Sequence, residues 1–201
     1  MSDAYKIKDK MMARRAKMTF ADMLRLMPLM TDGTRQRLQE VRPPKTIAGH
    51  DVPNDLQLIT YADLCELQRI SRQDATADKV VTEIVAQVTG CDADDVMGER
   101  AIDVMGVVNM VREEIRRIGK LFASLKGDHT SEELQAGVEF LDFGTFGIID
   151  WYARRMGITD HDVAYNTKWQ RIYECLRIDK EQADYERRLR QVYNNQHKRR
   201  R

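Results

Sequence analysis

The chain has 201 residues, 42% of them hydrophobic and 32% charged, with four prolines and a net charge of +1. That length suits one domain, or one domain with extensions, around a real core, and the composition excludes a disordered chain. The longest nearly apolar run, Phe143 to Tyr152, is interrupted by glycine and aspartate, and it falls far short of the roughly 20 residues a membrane span needs.

Met1-Ser-Asp-Ala-Tyr-Lys lacks the apolar stretch of a secretory leader, and Cys65, Cys91 and Cys175 are odd in number and widely spaced. That spacing matches neither a disulfide framework nor a zinc knuckle, which predicts a soluble protein made in a cytoplasm with its thiols reduced. The overall charge conceals an asymmetry. Residues 1–17 carry six Lys/Arg against two Asp, +4, and residues 186–201 carry seven Lys/Arg against one Glu, +6, which leaves −9 for the body between them. Basic arms on an acidic body are a layout for binding partners.

Residues 1–18 read as a basic arm. Thr19-Phe-Ala-Asp22 predicts a capped short helix with Met23, Leu24 and Met27 on one side, ended or interrupted at Pro28. Met11, Met12, Met18, Met23, Met27 and Met30 fall within 20 residues, which fits either an adaptable docking segment or an ordinary amphipathic helix lying on the core. Asp32-Gly33 predicts a turn, followed by a short helix with Leu38 and Val41 that stops before Pro43-Pro44. From Lys45 to Ile59 the helical period is lost, and Gly49 with Pro53-Asn-Asp55 predicts an irregular linker or a small two-stranded ribbon.

Thr60 then caps a helix with Leu64, Leu67 and Ile70 on one face. Val81, Ile84, Val85 and Val88 do the same for a second that ends at Gly90, and Asp92 caps a short turn. Ile102, Met105, Val108, Val111, Ile115, Ile118, Phe122 and Leu125 keep steps of three and four, predicting a long helix over about 99–125, ended by Lys126-Gly-Asp128. Gly106 and Gly119 inside it mark close contacts or a bend.

Thr130-Ser-Glu-Glu133 is a capping box. Leu134, Val138 and Leu141, then Phe146, Ile149, Ala153 and Met156 after a break at Phe143-Gly144, predict an apolar stripe that ends at Gly157. Thr159-Asp-His-Asp162 caps a short helix, and Trp169, Ile172, Tyr173 and Leu176 open a further one. Asp179-Lys-Glu-Gln182 caps a new helix or decorates one running on from Lys168; either way Tyr185, Leu189 and Val192 share an exposed face. The fold class expected is all-α, an irregular helical bundle with extended basic arms and a small β-ribbon near 46–59. The expected divisions are a basic, Met-rich arm with short helices over 1–45, a helical domain over 46–193 and a basic tail over 194–201.

No catalytic constellation emerges. Asp160-His-Asp162 offers three metal-ligand types, but adjacent residues on a forming helix point in different directions, and the pattern reads as a cap. Glu132-Glu133 suits a helix N-terminus by charge alone. No phosphate-cradling glycine motif is present. Phe140, Phe143, Phe146, Trp151, Tyr152, Trp169 and Tyr173 are expected in the core where helices cross. The residues therefore predict a non-enzyme with no cofactor and no metal.

Thr60-Tyr-Ala-Asp-Leu-Cys-Glu-Leu, then an apolar helix to Gly90 and Asp94-Asp-Val, resembles the helical beginnings of small tailed-bacteriophage morphogenesis proteins. Trp151-Tyr-Ala-Arg-Arg-Met-Gly-Ile-Thr-Asp-His-Asp-Val163, followed by Trp169 and Leu176, is similar to their C-terminal part, so the resemblance covers about residues 58–193. It implies one of two roles in the virion or its assembly. One is a head-to-tail connector, an adaptor or ring subunit that contacts portal or tail-ring subunits and forms a homo-oligomeric ring. The other is a tail assembly chaperone that binds the tape-measure protein, from which the N-terminal segment of 1–45 departs. Contact of the arms with packaged DNA is a third reading. The residues expected to bind partners are Arg14, Arg15 and Lys17 in the first arm, Tyr185, Leu189 and Val192 on the terminal helix, and Lys198, Arg199, Arg200 and Arg201 at the end.

Overall fold

The first helix begins where the sequence places a reciprocal cap. In the computed structural model, which describes residues 17–125, 127 and 129–199 and only the backbone of Glu139, Lys198 and Arg199, the Asp22 amide donates to Thr19 Oγ1 at 3.1 Å, opening α1 (Phe20–Leu26). The amides of Phe20 and Ala21 donate to the carbonyls of Glu99 and Met97, so two donors that a helix start leaves orphaned are satisfied by the chain passing beside it. Phe20 and Met23 are 1% exposed. This part of the methionine-rich segment is therefore core, the second of the two readings offered above. Residues 1–16 lie outside the described residues.

Among the described residues there are ten α-helices and one two-stranded ribbon, so the fold is all-α. The chain divides into two compact units, Met1–Leu56 with Glu66–Arg117 and Gln57–Cys65 with Ile118–Arg201. After α1 the first unit has a 3₁₀ turn over Met27–Leu29 that contains Pro28, then α2 (Asp32–Gln39). The turn expected at Asp32-Gly33 is a correction: both residues are helical, because extended Thr31 takes the N-cap position and Asp32 carries the negative charge that a helix start favours. β1 (Thr46–Ile47) and β2 (His50–Asp51) pair antiparallel, Thr46 with Asp51 and Ile47 with His50. Ala48 and Gly49 form the two-residue turn at φ 47° and 76°, both left-handed, as this hairpin type requires. The ribbon near 46–59 is thus present.

α3 (Tyr61–Arg72) carries Leu64, Leu67 and Ile70 into the interior; α4 (Ala77–Thr89) buries Val81, Ile84 and Val85 and ends on left-handed Gly90. Asp92 caps α5 (Ala93–Val96) by accepting from the Asp94 amide at 3.0 Å. α6 (Ala101–Ala123) is the long helix expected over 99–125 and measures about 34 Å at 1.5 Å per residue. The stop expected at Lys126-Gly-Asp128 lies partly outside the described residues. Within the first unit α6 is buried on every side from Gly106 to Val111. Gly106 meets the Arg42 carbonyl there, and Asn109 Nδ2 donates to the Leu38 carbonyl at 2.6 Å. Those two residues seat the chain leaving α2 against the helix.

In the second unit Thr60 caps the start of α3, and the Tyr61 amide donates to the Thr167 carbonyl at 2.8 Å. Tyr61, Phe122, Trp169 and Tyr173 form a tilted and edge-on aromatic cluster with centroids 5.6–6.4 Å apart. α7 (Ser131–Gln135) has the expected capping box, but it ends after five residues, because Gly137 turns left-handed at φ 82° into a 3₁₀ turn over Val138–Phe140. α8 (Gly144–Met156) ends on left-handed Gly157 as expected, and Asp160 caps α9 (His161–Tyr165). α10 (Trp169–Arg199) is one continuous helix of 31 residues, about 46 Å, so Asp179-Lys-Glu-Gln182 decorates it and does not restart it. No helix among the described residues is long and apolar enough to cross a membrane.

Candidate interaction surface

Residues with chemical potential are already engaged in structure. Asp160 Oδ1 accepts from the Asp162 amide at 2.9 Å, which is the capping role, while His161 Nε2 lies 3.3 Å from Asp150 on α8. Glu133 completes the Thr130 box, its carboxylate accepting from the Thr130 amide at 2.8 Å. Among the described residues no three His, Cys, Asp or Glu side chains form a group able to hold a metal ion. Burial pushes the Cys65 thiol up to about 11, so it stays protonated at neutral pH.

A cleft of about 390 Å³ in the first unit is bounded by Gln39–Pro43, Asn54, Asn109, Met110, Glu113 and Glu114. Glu114 is committed within it: Arg117 donates to both carboxylate oxygens at 2.8 Å, and the Leu56 amide donates to one of them at 3.3 Å. The Arg117 hydrogen bonds first, then the Leu56 amide, hold this carboxyl below its ordinary range against a smaller opposing effect of burial. A depressed carboxyl stabilises the fold above its unfolded pKa of about 4.3, and that stability is lost as pH falls through the lower folded value. Glu114→Gln is therefore expected to flatten the acid side of the stability profile. Urea midpoints that fall equally in wild type and variant between neutral and acid pH would contradict this.

The terminal helix is positioned by its first turns. Trp169 and Ile172 are buried, and Arg155 of α8 makes an ion pair with Asp179. Lys180 bonds Asp184 at 2.7 Å, and Asp184 also faces Arg187 at 3.8 Å. Beyond Glu186 the sequence of the helix carries no acidic residue. Tyr185 and Val192 are 58% and 50% exposed, Tyr193 is exposed beside them, and Leu189 is half-buried. Positions 185, 189, 192 and 193 are the i, i+4, i+7, i+8 stripe of one helix face. Lys17 is exposed, Lys198 and Arg199 lie on the helix with undescribed side chains, and Arg14, Arg15, Arg200 and Arg201 lie outside the described residues. The structure thus brings Tyr185, Leu189 and Val192 together on one face.

A second surface lies where the sequence pattern predicts core. Of the seven aromatics assigned to the core, Tyr152 and Trp169 are buried and Trp151 and Tyr173 half-buried, but Phe140, Phe143 and Phe146 are 88%, 72% and 56% exposed. Leu134 and Leu141 are exposed with them, so the stripe expected from Leu134 to Leu141 does not face inward. The cause is local. Gly137 breaks the helical period, and the Asp142 carboxylate accepts from the Gly144 amide at 2.8 Å, which re-aims the chain before α8. Gly137 and Gly144, on either side of Phe140 and Phe143, were the signal available in the sequence. Large contiguous exposed apolar patches are a common feature of interaction sites. No protein-family model matches the chain, and no curated protein or solved structure is significantly similar to it.

Proposed function

We propose that this chain is a non-enzymatic structural protein of a tailed-bacteriophage virion, a head-to-tail connector subunit of the adaptor or ring type, docking on portal or tail-ring neighbours through its terminal segments. The observation that carries the reading is α10. Its last turns add a basic, apolar-striped face to a helix whose opening turns are already anchored in the core. A helical end derives most of its stability from packing an apolar face, so a stripe left uncovered in the single chain suits a groove on a partner. The resemblance over residues 58–193 supplies the virion setting.

Truncation after Tyr185 is expected to leave the rest of the chain folded, with the far-ultraviolet signal reduced only by the lost turns, and to remove the protein from purified particles. Normal incorporation of the truncated protein would sink the docking role. Loss of DNA retention alone would favour contact with packaged DNA. A protein required for assembly but missing from finished particles would be a tail assembly chaperone.

A further inference from the structure

We propose that the basic end of α10 docks on the phenylalanine ledge of Leu134–Phe146 of a second copy of this chain, making a head-to-tail association. The proposal rests on the docking role of the tail argued above, but not on the virion setting.

The Phe143 Cβ sits where a side chain at residue 147 would stand, 2.6 Å from the Cβ position of Gly147, and the Gly147 amide donates to the Phe143 carbonyl at 3.0 Å. The Phe140 ring lies against Gly137 in the same way, its Cδ2 3.2 Å from the glycine's Cβ position. At these positions Phe140 and Phe143 are 88% and 72% exposed.

Charge selects the occupant. From Gly127 to Asp150 the sequence carries six Asp/Glu and no Lys/Arg, whereas residues 186–201 carry seven Lys/Arg and one Glu. An exposed apolar run within an acidic stretch of sequence is complementary in charge to an apolar helical stripe within a basic one, which favours their encounter. The occupant is not the same chain's own tail: Phe140 and Val192 are both exposed, and α10 runs unbroken from buried Trp169 to its end. Two different surfaces that recognise each other make a heterologous contact, which propagates into a ring or an open series.

The test uses the full chain and sedimentation velocity at tens of micromolar. A ledge variant carries Phe140→Asp and Phe143→Asp, and a tail variant carries Leu189→Asp and Val192→Asp. Each alone is expected to self-associate at least about tenfold more weakly than wild type. An equimolar mixture of the two is expected to form a heterodimer and stop there, since one intact ledge and one intact tail remain. Phe140→Asp alone serves if the double ledge variant does not fold.

Self-association of either variant at wild-type strength, or a mixture that stays monomeric, would overturn the proposal. A wild-type chain that is monomeric, with a truncated form still missing from particles, would overturn the second copy as occupant and leave docking on another virion protein standing.

Discussion

Replacing Trp169 by alanine is expected to destabilise the second unit by about 3–5 kcal/mol, the range for removing a buried large aromatic and leaving a cavity. Trp169 is among the largest fully buried side chains, and it holds two aromatic neighbours, Phe122 at 6.3 Å and Tyr173 at 6.4 Å between ring centroids. Its backbone matters as well: the amide donates to the Ile59 carbonyl at 3.4 Å beside the Thr60–Lys168 bridge, so α10 is fixed at its first residue. The side-chain loss thus falls where the long helix is anchored. Trp151 is the only other tryptophan and belongs to the same unit, so its emission follows unfolding in the variant. Trp169→Phe keeps most of the apolar contact and is expected to cost distinctly less. A denaturation midpoint for Trp169→Ala within about 1 kcal/mol of wild type would mean the cluster does not hold the unit together.

Alanine at Gly106 is expected to cost about 2 kcal/mol, although helix propensity favours the change by about 1 kcal/mol. The clash decides the sign. A Cβ at this position would stand 2.3 Å from the Arg42 carbonyl oxygen and 2.7 Å from its carbon, and these are backbone atoms that no rotamer change can move aside. Overpacking of this kind typically costs about 1–3 kcal/mol. Displacing Arg42 would also pull on the segment that Asn109 holds at the Leu38 carbonyl, and a strained hydrogen bond there adds about 1 kcal/mol. Gly119 is the control within the same helix. Nothing lies within 4 Å of its Cβ position, so Gly119→Ala is expected to stabilise by about 0.5–1 kcal/mol. Thermal unfolding of the two single variants should therefore move in opposite directions, and a shift of the same sign in both would refute the close approach at Gly106.

The sequence by itself determined the features that are settled within a few residues. Caps at Thr19, Thr60, Asp92, Thr130 and Asp160, and stops at Gly90 and Gly157, are recognisable because each rests on one side chain or one backbone conformation and its immediate neighbours. The all-α class followed from the three- and four-residue periods, whereas loss of that period over 45–59 left an irregular linker or a small ribbon open, and the structure places the turn at Ala48-Gly49. Tertiary structure decided which of two locally reasonable options prevailed. Asp32-Gly33 has turn chemistry, yet Thr31 lies extended and the pair enters a helix. Residues 179–182 have cap chemistry, yet Asp179 pairs with Arg155 and Asp184 with Lys180, and α10 continues through them. The role of Gly106 depends on Arg42, which is distant in sequence, so periodicity marked the position without saying what approached it. The phenylalanine ledge is the clearest case. Hydrophobicity alone assigns Phe140, Phe143 and Phe146 to a core, but burial depends on whether an apolar surface stands opposite, and α7 ends too soon to bring one there.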